Sequence, residues 1–349
     1  MLKLTDLAQP EAIIKYYDAS RQNQSLYLGE GLFTPKKQVG MEVNMISGHA
    51  GYPVMLSPST FDADITIRER ISISRMSADL PMFRESMTIN EKLCQEILKL
   101  QSGNNAADLK VYVDNIFDDM GNLVRGGRVA RERMAMDVIS SGKVKFTENG
   151  VPLDYDYQMK KYQFFTPKTA WSDTANAVPL EDIDRWVTAA KRHGFYLTRA
   201  VVNSNTMANL KANISIRHAL YPTAVTVEGL PITKQTVIDL IKQYTGVTIA
   251  EYDEVYATIV GGIPKQFYPD DTITLLPATA LGNMVFGTTP EEARLNAGVS
   301  NVSTSLTDTG VAVTSLITYP TVNVSTIVSQ IVLPVLNTIG GSFCIGNVG

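Results

Sequence analysis

In the stretch DADITIRERISIS, Ile65, Ile67, Ile71 and Ile73 fall on one face at a period of two, with Glu69 the only polar residue among them. Asp64, Thr66, Arg68, Arg70, Ser72 and Ser74 occupy the other face. Strict alternation of this kind predicts a strand that buries one side. Upstream, VGMEVNMISGHAGYPVMLSPST supplies a partner strand, with Gly and Pro marking turns, so residues 38–82 read as a long two-stranded excursion. An isolated ribbon is marginal in water. Its isoleucine face therefore needs a cover, on the chain's own body or on a neighbouring subunit.

The period then changes. In SMTINEKLCQEILKLQSG, Thr88 and Glu91 match a capping box, and Leu93, Ile97 and Leu100 share one helical face. A longer stripe follows at steps of three or four, through Leu109, Val113, Ile116, Met120, Leu123, Gly127, Ala130, Met134 and Val138. It predicts a helix of about 45 Å at 1.5 Å per residue. Gly121, Gly126 and Gly127 inside it predict a bend or a close backbone contact. VKFTENGVPLDYDYQ reads as a hairpin turning at Asn149-Gly150. Beyond FFTPKTAWSD the elements alternate. PLEDIDRWVTAAKRHG is a helix ending at Gly194, and FYLTRAVVN is a strand. SNTMANLKANISIRHAL is one helix capped by Ser204 or Asn205, TKQTVIDLIKQYTG is a helix stopped by Gly246, and VTIAEYDEVYA is a strand. This alternation predicts an α+β core over 166–290. The tail, 297–349, is rich in Val, Ser and Thr and reads as β, most clearly in TVNVSTIVSQIVLPVL. Residues 1–37 mix a short helical piece with an extended arm that has little to form a core of its own.

Composition narrows the functional classes. The chain has 349 residues, 44% of them hydrophobic and 19% charged, with a formal net charge of −4. A chain that wrapped nucleic acid through its folded surface would normally be basic. The two cysteines, Cys94 and Cys344, form no paired motif and fit a reduced, cytoplasmic setting. There is neither an apolar leader at the start nor an apolar run long enough to span a membrane. His49, His193 and His218 lie at no ligand spacing from one another, so no metal or other cofactor is expected. No nucleophile motif and no glycine-rich phosphate loop is present. Arg125, Arg128, Arg131 and Arg133 in RGGRVARER suit phosphate contact, but a solvated helix face or salt bridges to a neighbouring subunit is the favoured reading. The neighbouring carboxylates Asp270 and Asp271 in FYPDDTITLLP raise the question of a catalytic pair. Adjacent strand residues point to opposite faces, and Pro-Asp-Asp suits a turn, so the pair reads as a turn entering a strand.

An arm, a long ribbon and a long helix outside a compact core bury little against themselves. They predict completion by other copies of the chain in a symmetric assembly. The order of parts resembles the major capsid protein of tailed bacteriophages, in the lambda head protein E family. The segments RERMAMDVISSGKV (131–144), WSDTANAVPLEDIDRWV (171–187), FYPDDTITLLP and TTPEEARL (288–295) are similar to parts of that family in sequence order, as is the closing TVNVSTIVSQIVLPVLNTIGGSFCIGNV. The resemblance implies the α+β Hong Kong 97-type capsid fold. Its parts would be an N-terminal arm (1–37), an extended β-hairpin loop (38–82), a peripheral domain with a spine helix (83–165, joined by part of 297–325) and an axial domain (166–349). It implies a non-enzymatic shell protein that forms hexamers and pentamers, first as a procapsid, and encloses double-stranded DNA without reading its sequence. Implied partners are a scaffolding protein or segment and a portal, with the shell stabilised non-covalently or by a decoration protein; the implied location is the virion, with assembly in the host cytoplasm. No lysine lies between Lys37 and Lys92, so a lysine cross-link from the loop, used by some relatives, is not available. The expected inter-subunit residues are Ile65, Ile67, Ile71 and Ile73, with Arg68 and Arg70. Two alternatives stay open: an encapsulin-like nanocompartment shell, and a hydrolase using Asp270 or Asp271.

Overall fold

The computed structural model describes residues 9–21, 26–47, 74–102, 106–147, 152–223, 226–227, 229–296, 303–318 and 323–349. The chain divides into two compact units. The first gathers Met1–Val43, Asp79–Met134 and Asn283–Val335; the second gathers Asn44–Ala78, Ala135–Gly282 and Leu336–Gly349.

The first unit is organised by the strand Asn323–Leu336. Its burial alternates at first and then becomes nearly continuous, as in a strand covered on both faces. Val311–Thr318 and Met82–Ile89 flank it antiparallel, with Val328 opposite both Val313 and Glu85. Ser303–Thr307 extends the sheet beyond Val311–Thr318, and Gly282–Phe286 and Phe33–Lys37 continue it on the other side. The helices are Pro10–Arg21, Leu28–Leu32, Glu91–Ser102, Pro290–Asn296 and the start of Ala106–Ser141.

The capping box expected at Thr88 does not form. Thr88 lies within the strand, its hydroxyl 2.9 Å from that of Ser325, and Asn90 caps the following helix by accepting from the Leu93 amide at 3.0 Å. Sheet pairing outcompetes the local signal. The long helix runs unbroken from Ala106 to Ser141, 36 residues, despite its glycines. Gly127 is the expected close contact: a Cβ there would stand 3.2 Å from the Gln330 side chain, which donates to the Gly127 carbonyl at 2.8 Å.

The second unit is a mixed five-stranded sheet in the order Phe164–Phe165, Cys344–Asn347, Thr272–Pro277, Leu197–Val202, Thr248–Glu251. Helices Pro179–Lys191, Ser204–Ala212, Ile214–Leu220 and Lys234–Thr245 accompany it. Its core is aromatic: Trp171 and Trp186 stack at 5.8 Å, and Phe165 stacks on Trp186 at 5.6 Å. Ile183, Val237, Ile241, Ile273 and Leu275 fill the space around them. The one helix expected over 204–220 is two, because Asn203 and Asn213 each cap a new start by accepting from Thr206 and Ile216 amides. The strand expected from VTIAEYDEVYA also divides, since Val255–Tyr256 leaves the sheet to pair with Lys265–Gln266. Gly246 stops its helix at φ 76°, a conformation glycine adopts without strain. The 143–156 hairpin forms, Lys143–Phe146 pairing antiparallel with Leu153–Asp156; its Asn149-Gly150 tip lies outside the described residues.

Candidate functional site

Ile65, Ile67, Ile71, Ile73, Arg68 and Arg70 all lie outside the described residues. The described residues on either side of that stretch pair with each other. Glu42–Ser47 and Ser74–Asp79 pair as a two-stranded sheet, and the Leu80 amide donates to the Met41 carbonyl at 2.7 Å. The residues that lead into the first strand are fastened within the first unit. The Gln38 amide donates to the Phe286 carbonyl at 2.8 Å, and Lys37 pairs with Glu292 at 2.5 Å. A Cβ on Gly287 would lie 2.8 Å from Ile331 and 3.0 Å from the Gly40 carbonyl, so only glycine lets the chain pass there. Arg84 pairs with Glu291 at 2.6 Å, and Glu291 also accepts from Ser329 at 2.9 Å.

The arginine stretch is not a solvated face. Arg128 is 2% exposed and donates through Nε (2.5 Å) and Nη2 (2.8 Å) to the two carboxylate oxygens of Glu30. Such a fork is the strong form of an ion pair. This hydrogen bond to Glu30, more than any other influence, holds the Arg128 guanidinium above its ordinary pKa. Arg131 donates to Asp308 at 2.7 Å and to Gln330 at 2.8 Å. Asp308 sits in a left-handed turn at φ 48°, which brings its other oxygen to Arg21 at 2.5 Å. Glu132, 1% exposed, accepts from the Gly29 amide with both oxygens, at 3.1 and 3.0 Å. Tyr17 packs here fully buried, and burial raises its phenol pKa. Ion pairs and hydrogen bonds thus tie the arm to the long helix, beside the burial of Ile13, Tyr17 and Leu32. Glu30, Asp308 and Gln330 went unnoticed in the sequence. One signal was available: Arg128 and Arg131 continue the apolar stripe of Met120 and Val124 at helical spacing, where a solvated face would have left it.

Asp270 and Asp271 form a turn. Asp271 takes φ 52°, a left-handed position that Asp tolerates, and its carbonyl accepts from the Val348 amide at 2.8 Å. The Asp270 carboxylate accepts from the Asn203 side chain, and the next residues enter the strand Thr272–Pro277. Among the described residues no group of three or more His, Cys, Asp or Glu is placed to hold a metal ion, and no helix is long and apolar enough to cross a membrane.

Residues 14–310 match the family described as phage major capsid protein E, well over half of the sequence. The chain belongs to that family. No curated protein is significantly similar in sequence. The fold agrees with solved capsid structures. A protein assigned as the capsid protein of a prophage of E. coli CFT073 aligns with a TM-score of 0.59 at 13% identity, covering 98% of this chain and 99% of that one. A phage-related protein of Bordetella bronchiseptica RB50 aligns at 0.53 and 11% identity, with 97% of each chain covered. The capsid of cyanophage A-1(L) aligns at 0.50 and 11% identity, covering 93% of this chain and 94% of that one. The fold is the Hong Kong 97-type capsid fold. A capsid protein family is a structural family whose members build a shell from copies of themselves, and its place is the virion.

Proposed function

We propose that this chain is the major capsid protein of a tailed phage or prophage, forming the hexamers and pentamers of an icosahedral head that encloses double-stranded DNA. The observation that carries the reading is the family match over residues 14–310, joined to end-to-end coverage of a capsid fold. The ribbon over 38–82 lays its isoleucine face on the neighbouring subunit. Arg68 and Arg70 stand on the opposite face, and the shell is stabilised without a lysine cross-link from that ribbon. A scaffolding protein or segment, a portal and a decoration protein are the working partners, with assembly in the host cytoplasm. In this scheme Asp270 and Asp271 have no catalytic task.

The purified chain should form closed shells of uniform diameter by electron microscopy. Ile67→Asp combined with Ile71→Asp should abolish them while the second unit stays folded by circular dichroism. Normal shells from the double variant would exclude the isoleucine face as the contact. An intact parent that never closes into shells would overturn the capsid reading itself.

A further inference from the structure

The second unit is electrically polar along its own sheet. The pairing registers place Val202, Glu251, Thr272 and Asn347 at one end of the strands and Leu197, Pro277 and Cys344 at the other. Phe164 pairs with Ile345 and runs parallel to that strand, so the residues before it, Lys161 and Tyr162, lie at the Leu197 end. The helix Pro179–Lys191 turns back into the strand Leu197–Val202, which brings Lys191, Arg192 and His193 to the same end. The ring of His193 stacks on Tyr162 at 4.0 Å, fixing the two segments together. Lys161, Lys191 and Arg192 are exposed, and none has an ion-pair partner among the described residues. Tyr196, 73% exposed, adds apolar area beside them.

The opposite end is net negative, although Lys234 pairs there with Glu251 at 2.5 Å and Arg185 with Asp182 at 2.7 Å. Asp253 follows the strand Thr248–Glu251 and accepts from the Ser204 amide at 2.8 Å, and Glu254 beside it is exposed. Asp270 reaches Asn203 in the same place, and Asp271 starts the neighbouring strand. The helix Pro179–Lys191 begins at this end, because Trp171 donates to the Val348 carbonyl at 2.7 Å and to Asp182 at 3.2 Å. Its exposed first turns carry Glu181 and Asp184.

We propose that this unit associates head to tail with a second copy of the chain, the basic end of one copy seated on the acidic end of the next. The two ends are complementary in charge and lie on opposite poles of one sheet, so the contact is heterologous, and a heterologous contact closes into a ring when its rotation divides the circle. The inference rests on the capsid reading and adds to it the surface that sets ring direction. Contacts of this kind govern register and encounter rate and weaken as salt screens them.

The test uses the full-length chain and exposed positions only. Lys161→Glu with Arg192→Glu should reduce shell yield about tenfold or more at 0.1 M salt, because like charges then face each other. Asp184→Lys with Glu254→Lys should do the same. The chain carrying all four substitutions restores opposite charges across the contact and should regain assembly, an outcome that simple loss of folding would not give. Either double variant assembling like the parent, or a folded fourfold variant that stays unassembled, overturns the proposal. So does a Lys161→Glu, Arg192→Glu protein that assembles normally and has lost only affinity for a duplex DNA fragment, since the basic end would then serve DNA. Failure of the parent chain to form shells at all would count against the capsid reading, whereas parental shells with indifferent variants count against this inference alone.

Discussion

The unit around Trp171 and Trp186 keeps nearly all its charge on the surface, whereas the unit around Arg128 and Arg131 buries charge at its centre. The first kind of core is made by shape. Its stacked rings and branched aliphatics come mostly from one continuous stretch, Ala135–Gly282. The second joins three separated stretches, and the arm it recruits offers few large buried apolar side chains beyond Ile13, Tyr17 and Leu32. Apolar contact is non-directional, so it holds an arm in place without specifying its register. A forked ion pair is directional, at a desolvation cost that its hydrogen bonds must offset. The unit made of distant pieces is therefore the one that uses ionic pairing to specify which piece goes where.

The largest effect is expected at the aromatic core. Trp186→Ala removes a ring stacked with two others and should cost about 3–5 kcal/mol, with hydrogen exchange accelerating across the strands Leu197–Val202 and Thr272–Pro277. Unchanged exchange in those strands would refute the account of that core. Next comes the ionic core. Arg128→Met leaves Glu30 without its fork and should cost about 2–4 kcal/mol, toward the lower end because Glu30 is a quarter exposed. The loss should surface as faster exchange in Pro10–Arg21 and Leu28–Leu32, with the Trp171 unit unaffected. Adding Glu30→Met should recover most of it, since removing both partners of a buried pair is often near neutral. A double variant as unstable as the single one would show that the pair was never the fastening.

The same contrast explains what could be read from the sequence. Period-2 and period-3.6 patterns are local, and they located the long helix, the 143–156 hairpin and the Asn323–Leu336 strand. Gly246 as a helix stop was equally local, because only the αL conformation has to be recognised. Signals with a tertiary competitor misled. Thr88-x-x-Glu91 is a sound capping box until a strand from more than two hundred residues away claims Thr88. Asn213 in the middle of a helical pattern looks like a weak helix former, and became a cap that splits the helix. The ionic network was the least legible part, since Glu30, Arg131 and Asp308 are brought together by the fold and by no pattern along the chain. Asp271 was readable as a turn because proline, aspartate and the following apolar run agree locally.

One added methyl group in each unit should have the smallest and most discriminating effect. Gly346→Ala places a Cβ 2.7 Å from Ile273 and 3.0 Å from Trp186. Both neighbours are locked in the aromatic core, so the backbone must move, at about 1–3 kcal/mol. Gly127→Ala meets the amide of Gln330 first, at 3.2–3.4 Å. That side chain can shift by a few tenths of an ångström while still donating to the Gly127 carbonyl. Replacing glycine within a long helix also returns up to about 1 kcal/mol of helix propensity, so the two terms should nearly cancel. Thermal unfolding should therefore separate the two variants clearly, Gly346→Ala low and Gly127→Ala close to the parent. Equal destabilisation would mean that the polar core is packed as rigidly as the aromatic one, and the distinction between a unit held by shape and a unit held by adjustable polar contacts would be lost.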